Sequence, residues 1–379
     1  MKVRYLLFIL CMAGVLFSCN NAEPLRDVLY FTGTEKTPVS KYTIDGPAEI
    51  GVTVSASCLA DIDQVINIKA DPDKLEAFNE EYGKNYKIVP AENFILSANS
   101  VMLKAGENVS EPLVFSLTKN DDFEEGVTYC MPLTISDVSG NLEVLEASRT
   151  IYLVLGQTII TKAVNLANST YYTVPFEDNS SLAALPQCSM EARLCMKGFY
   201  ERNPFISTVM GIEENFLLRF GDVNIKPNQI QLAGGGYQIT GQTMFEKDKW
   251  YHVAVVYDGS EIRLYVNGQP DGVIAASRGN IDLTDSYSGG FHIGYSAGGR
   301  KLNGIISEVR VWKKALSVNE IQNNMCFLAP DNYKDLIAYW RFNDGAEAKT
   351  VKDWSGNGWD LSYSGWSAPT WVTGVRCPD

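Results

Sequence analysis

Histidine is nearly absent from this chain. Only His252 and His292 occur in 379 residues, which leaves little for a histidine-based zinc site or a Ser-His-Asp triad. Cysteine is present eight times but never as C-x-x-C, so a zinc ribbon or a dithiol redox motif has no support. Positive charge is in deficit: 32 Lys and Arg against 45 Asp and Glu give a net charge of −13. Such a surface repels nucleic acid and anionic lipid and suits a neutral ligand or a cation. No G-x-S-x-G motif occurs. The triple glycine before Tyr237 is not followed by Lys-Ser/Thr, so it is no phosphate loop. No apolar run reaches the roughly 20 residues that a membrane-spanning helix needs.

What is present begins at the N-terminus. Lys2 and Arg4 precede thirteen uncharged residues, 5–17, a suitable length for the core of a secretory signal. The run ends Leu16-Phe17-Ser18-Cys19-Asn20. This resembles the lipobox of bacterial lipoproteins: an aliphatic residue, a small residue, then the acceptor cysteine. The resemblance implies that residues 1–18 are a signal peptide and that the Cys19 thiol takes a diacylglycerol. Residues 19–24 then form a short lipidated tether. The alternative, an ordinary signal peptide that happens to contain Cys19, lacks a nearby A-x-A cleavage site. Asn20 in place of aspartate fits an outer-membrane destination; a cell-surface position is a separate expectation. Loss of Lys2 and Arg4 with the signal would leave 30 basic and 45 acidic side chains.

The remainder is 45% apolar and 20% charged over the whole chain, which fits globular domains rather than disorder. Residues 25–157 read as strands. V-L-Y-F-T, I-G-V-T-V-S, Q-V-I-N-I-K-A, P-L-V-F-S-L and R-T-I-Y-L-V-L alternate or are β-branched, with turn residues between them. One helix interrupts, opening at Asp71-Pro72 and placing Leu75, Phe78 and Tyr82 on one face. The pattern predicts a small antiparallel β-sandwich with one inserted helix. "INIKADPDKLEAFNEEYGKNYKIVPAENFIL", "VMLKAGENVSEPLVFSL" and "GVTYCMPLTI" resemble the uncharacterised N-terminal β-sandwich domain of Bacteroidetes surface lipoproteins, whose role there is architectural.

Residues 161–379 are again β-rich. "WYHVAVVYDGSEIRLYVNG" places two strands around Asp258-Gly259, a hairpin signal. Phe291, Ile293 and Tyr295 alternate. So do Ile305, Ser307, Val309 and Val311 against Ile306, Glu308 and Arg310. Ser317 and Glu320 make a capping box for a helix running to Met325. These stretches, with "LNGIISEVRVWKKALSVNEI", are similar to the laminin-G-like, concanavalin A-type lectin domain. The implied fold is a jelly-roll of two antiparallel sheets, so the whole chain is expected to be all-β. "LIAYWRFNDG…VKDWSGNGWDL" also belongs to that family, but there it often opens the domain. Here it closes it, and a permuted sandwich would explain the order.

Some members of this family hold calcium through Asp and Asn oxygens. The expected ligands here are Asn343, Asp344, Asp353, Asn357 and Asp360. The competing reading is that the D-W-S-G-N-G stretch only builds a turn. Loop aromatics that could pack on sugar rings are Trp354, Trp359, Tyr363 and Trp366. Tyr237 and Arg300, beside glycine-rich loops, are further ligand candidates. The fold also hosts glycoside hydrolases with E-x-D-x-x-E on one strand, and no such triplet occurs. The expected function is therefore non-catalytic binding of a polysaccharide or glycan, by a lipoprotein held on the membrane through its lipid beside an outer-membrane uptake complex. The alternatives are an adhesive protein-binding lipoprotein and a hydrolase with dispersed carboxylates. Among the cysteines, Cys58 with Cys130 and Cys326 with Cys377 are the first pairings to test, since each stays within one domain. Buried free thiols are the other outcome.

Overall fold

The computed structural model describes residues 26–168, 170–329, 333–365 and 367–377. Cys19 and its surrounding lipobox lie outside the described residues. Among the described residues, no helix is long and apolar enough to cross a membrane.

The strands before Ile159 make three small sheets around one core. Val39–Ile44, Thr150–Gln157, Tyr129–Ser139, Gln64–Ala70 and Ser100–Leu103 form the largest, in that order. Phe31, Phe115, Leu133 and Leu153 are wholly buried between the sheets. The expected pairing is antiparallel throughout, and most of it is. However, Val39–Ile44 runs parallel to Thr150–Gln157, from Tyr152↔Val39 to Gln157↔Ile44. More than a hundred residues separate the two strands, so no tight hairpin turn fixes their relative direction. Helix α1, Lys74–Tyr82, buries Leu75 and Phe78. Tyr82 is largely exposed but stacks its ring on Phe78 at 4.6 Å. Gly83 ends the helix in the left-handed conformation that glycine adopts without steric cost.

The strands from Ile159 onward make two large sheets packed face to face. One has eight strands: Gln269–Ala275, Glu261–Val266, Trp250–Tyr257, Cys188–Met196, Gly304–Trp312, Ile159–Asn165 and Thr370–Cys377, with Leu336–Trp340 also paired to Gly304–Trp312. The other has seven: Tyr237–Thr240, Ile225–Gly234, Phe216–Asp222, Ser207–Ile212, Phe291–Ile293, Thr170–Val174 and Tyr363–Gly365. Apolar residues at every second position fill the space between them, among them Met190, Val255, Leu218, Phe220, Ile293 and Trp340. The first strand of this unit lies against its last, from Ile159↔Cys377 to Asn165↔Thr370. Its two ends are thus neighbours, as a permuted chain order requires.

Two details correct the sequence reading. Gly304–Trp312 does not keep one alternation throughout. A register shift opposite Ala192 and Leu194 places Ile306 in the core together with Val309 and Val311, while Ile305 faces outward. One extra residue at a bulge flips the faces on either side of it. Helix α2 is Val318–Asn323, capped by the reciprocal Ser317 and Glu320 bonds, and ends before Met325. Of the cysteine pairings, Cys326–Cys377 is formed. Cys58 and Cys130 are free instead, one half-buried and the other buried. Burial pushes the Cys130 thiol up to about 12, so it behaves as an inert apolar side chain.

Candidate functional site

Each large sheet of the second unit has one face in the core and one turned away from it. The outward face of the seven-stranded sheet is where polar chemistry and partial exposure coincide. In F-L-L-R-F-G-D, Phe216, Leu218 and Phe220 enter the core, which turns Arg219 outward. The same alternation turns out Gln231 between Ile230 and Leu232, His292 between Phe291 and Ile293, and Tyr171 beside Tyr172. Pairing registers place these side chains in rows: Thr208↔Arg219↔Gln231↔Thr240 across four strands, and Gly211↔His292↔Thr173 across three.

The first row is a hydrogen-bonded ladder. Arg219 donates from Nη2 to Asp222 Oδ2 at 2.5 Å and from Nε to Gln231 Oε1 at 2.9 Å. Gln231 Nε2 donates onward to Thr240 Oγ1 at 3.2 Å. Beside it the 295–301 loop folds onto the sheet. Ser296 and Thr208 join their hydroxyls at 2.8 Å, and Arg300 Nη1 donates to Glu213 Oε1. Glu213 is 4% exposed, and among the described residues its other oxygen, Oε2, has no hydrogen-bond partner. A buried carboxylate oxygen left without a donor is costly.

The second row carries aromatic rings. Tyr171 stacks on Tyr295 with centroids 4.4 Å apart, and His292 stands edge-on to both, at 5.7 and 5.2 Å. Both tyrosines are half-buried, so part of each remains accessible. The expected alternation of Phe291, Ile293 and Tyr295 on one face breaks at Gly294. There the backbone turns through a φ of +81°, and a Cβ would lie 2.6 Å from Leu166 Cδ1. That turn delivers Tyr295 to the outward face. Burial lowers the His292 imidazole below its ordinary value and so favours the neutral ring. Thr173 Oγ1 lies 3.1 Å from its Nδ1.

The residues singled out from sequence scatter. Arg300 alone joins this face. Tyr237 sits in the edge strand and accepts a hydrogen bond at its hydroxyl from Ser277 N at 3.1 Å. The glycine turn before it is held by Arg278, whose guanidinium would lie 2.4 Å from a Cβ at Gly235. Tyr363 pairs with Tyr172, which puts it on the side opposite Tyr171 at the sheet edge. Trp359 packs edge-on against Phe176 at 5.0 Å and takes the Trp340 indole N–H on its carbonyl. Trp354 lies beneath the Arg341 and Lys352 cations at 4.1 and 4.4 Å. Trp366 lies outside the described residues.

Asp344, Asp353, Asn357 and Asp360 come together as a turn. Asp353 accepts four hydrogen bonds, from Tyr339 N, Ser355 N, Ser355 Oγ and Trp359 N, at 2.8–3.0 Å. Asp360 Oδ1 accepts from Asp353 N and Asp344 Oδ1 from Lys352 N. Asn357 donates its amide to the carbonyls of Leu336 and Ile337, and Asn343 is half-buried beside Asp344. Calcium needs six to eight oxygen ligands. Asp353 has no lone pair to spare and Asn357 presents a donor, so these two serve the turn, whereas among the described residues Asp344 Oδ2 is buried without a donor. Among the described residues, no group of three or more His, Cys, Asp and Glu side chains could hold a metal.

The outward face of the eight-stranded sheet is also charged, but it is sealed. Glu191, His252, Glu308, Arg310, Trp312 and Tyr339 are each at most 4% exposed. Arg310 Nη2 donates to Glu308 Oε2 at 2.9 Å, Tyr339 OH to the same oxygen at 2.5 Å, and Trp312 Nε1 to Glu191 Oε2 at 2.8 Å. Arg310 also reaches the carbonyls of Asn324 and Cys326. It thereby fixes the segment after α2 over the sheet. This network was half-visible in the sequence as the Glu308 and Arg310 alternation.

Residues 167–322 match the laminin G family described as the concanavalin A-like lectin/glucanases superfamily, and residues 23–142 match a family of N-terminal domains. No curated protein matches the chain. Among solved structures, a Bacteroides ovatus protein described as "a putative carbohydrate binding protein" is 22% identical with a TM-score of 0.59. The match covers 91% of this chain and 97% of that one. A two-domain Bacteroides fragilis protein of unknown function is 12% identical over 71% of this chain and 95% of its own, with a TM-score of 0.30. A Trypanosoma rangeli sialidase is 16% identical over 38% of this chain and 23% of its own, with a TM-score of 0.28. Scores this low carry no argument, whereas the first match shows a shared fold. The second unit of this chain is a concanavalin A-like domain of the laminin-G type.

Proposed function

We propose that the protein binds carbohydrate without cleaving it, on the outward face of its seven-stranded sheet. The observation that carries this reading is the stacked, half-buried Tyr171–Tyr295 pair on the face that Arg300 joins. Aromatic rings pack against the C–H faces of sugars, and the partly exposed Arg300 guanidinium can donate to sugar oxygens. The description of the Bacteroides ovatus protein of like fold points the same way. Hydrolysis would require two carboxylates flanking a glycosidic bond, about 5–10 Å apart. The acids of this network, Glu213 and Asp222, are each committed to an arginine instead. Calcium has no part in the reading.

The Cys19 lipid anchor, an outer-membrane location and work beside a polysaccharide uptake system belong to the same proposal. They rest on the lipobox resemblance. Calorimetric titration against a panel of neutral and charged oligosaccharides tests the binding reading. At least one neutral glycan should bind, with the same affinity in EDTA. Absence of binding across the panel would remove the reading, and loss of binding in EDTA would restore a cation to it. Binding of a partner protein with no glycan bound would favour an adhesive role.

A further inference from the structure

The two units meet along a seam that is hydrogen-bonded on both sides. Asn323 Nδ2 donates to Gly83 O at 2.9 Å, Lys84 Nζ donates to Asn323 Oδ1 at 3.2 Å, and Arg341 pairs with Glu125 at 2.9 Å. Ala329 is buried in the core of the first unit. Beside this seam lies a cleft of about 510 Å³, within the range of about 300–1,000 Å³ usual for small-ligand sites.

The lining of the cleft runs against the composition of the chain. The protein carries a net charge of −13, yet among the described residues no aspartate or glutamate lines this cleft, while Lys41 and Lys84 both do. Among the described residues neither lysine has a carboxylate within ion-pair distance, and the Lys84 ammonium donates to the neutral Asn323 amide. Burial, and then the positive charge of Lys41, pull the Lys84 ammonium below its ordinary range. Two like charges held at one site without a counter-ion are an arrangement that an anion stabilises. The remaining wall suits a sugar. Tyr42 and Tyr86 offer half-buried rings, and the side chains of Gln269, Thr43 and Thr128 make no intramolecular hydrogen bond among the described residues. The wall is also fixed in place, since its residue Cys326 is bonded to Cys377.

We propose that this cleft is a second binding site, which takes the charged end of an anionic saccharide, with a sugar carboxylate or sulfate held between Lys41 and Lys84. The lysines act as point charges on the anion. Gln269 and the threonines take ring hydroxyls, and the tyrosine rings cover the C–H faces. The site is independent of the sheet face, because no residue is shared between them.

Titration of the full chain with a galacturonate trisaccharide, a sulfated disaccharide and a neutral galactose trisaccharide tests the proposal. At least one of the two anionic probes should bind, and which one binds identifies the anion. Its affinity should fall as salt is raised, and the neutral probe should bind at the cleft at least about tenfold more weakly. The double variant Lys41→Ala, Lys84→Gln should lose about tenfold or more in affinity for the anionic probe. Lys349→Gln, an exposed lysine outside both sites, should leave it unchanged. If the double variant fails to fold, Lys41→Gln alone, at an exposed position, should still weaken binding about threefold or more. No binding of either anionic probe, or equal affinity in wild type and lysine variants, overturns the proposal.

Discussion

The two outward faces of the second unit are built from the same residue types and do opposite things. On the eight-stranded sheet, Glu191, His252, Glu308, Arg310 and Tyr339 are enclosed beneath α2 and the segment that follows it. On the seven-stranded sheet, Glu213, Arg219, His292, Tyr171 and Tyr295 occupy corresponding outward positions, but both tyrosines and Arg300 keep access to solvent. Unpartnered buried oxygens occur on both faces, at Glu308 Oε1 and at Glu213 Oε2. Chemistry alone therefore does not separate a binding site from a structural network. Access does. A sealed network can only hold the fold together, while a face whose tyrosine rings and Arg300 reach solvent can also meet a ligand.

Three perturbations should separate the faces. The largest effect is expected from Arg310→Met. It strips the sealed face of its cation, leaves Glu308 and Glu191 buried without it, and frees the carbonyls of Asn324 and Cys326. Denaturant unfolding should show a loss of about 3–5 kcal/mol. A loss below about 1 kcal/mol would mean that the sealed network is not structural. Next comes removal of the Cys326–Cys377 bond by the double serine variant. The bond spans 51 residues, and its loss should lower stability by about 2–4 kcal/mol in the same assay. It also ties the segment after α2 to the last strand, so the sealed face should gain hydrogen exchange while the open face does not.

The smallest effect is the pH response of the open face. Burial lowers His292 in the folded protein, so the unfolded chain takes up the proton more readily. The His292 contribution is thus present above its ordinary value near 6.5 and is lost as pH falls below it. Melting temperature should decline from pH 7.5 to pH 5, and His292→Asn should flatten part of that decline. An identical pH slope in the variant would place the titration elsewhere.

Much of the architecture was legible because alternation is a local signal. W-Y-H-V-A-V-V-Y-D-G, with its hairpin, appears at Trp250–Tyr257 and Glu261–Val266, as the pattern requires. The capping box at Ser317 and Glu320 is also local. The sites were less legible, for identifiable reasons. Asp353 and Asn357 look like cation ligands in sequence, but their lone pairs and donors are spent on the main chain of strands brought close only by folding. Arg219 and His292 stood in plain view as single polar residues inside apolar strands. What sequence did not supply was the register that aligns them, or the reversal at Gly294 that sets Tyr295 on Tyr171. Of the two pairings named for testing, Cys58–Cys130 is not formed, because sharing a domain does not bring two thiols together, whereas Cys326 and Cys377 are held with their Cα atoms 5.8 Å apart.

The most direct measurement is calorimetric titration of the neutral glycan that binds best, into wild type, Tyr295→Ala and Tyr171→Ala. Both changes lie on the open face and away from the sealed one. The account predicts a loss of about tenfold or more for each, with an unfolding free energy within about 1 kcal/mol of wild type. Wild-type affinity in both variants would contradict it and move carbohydrate binding off the seven-stranded sheet.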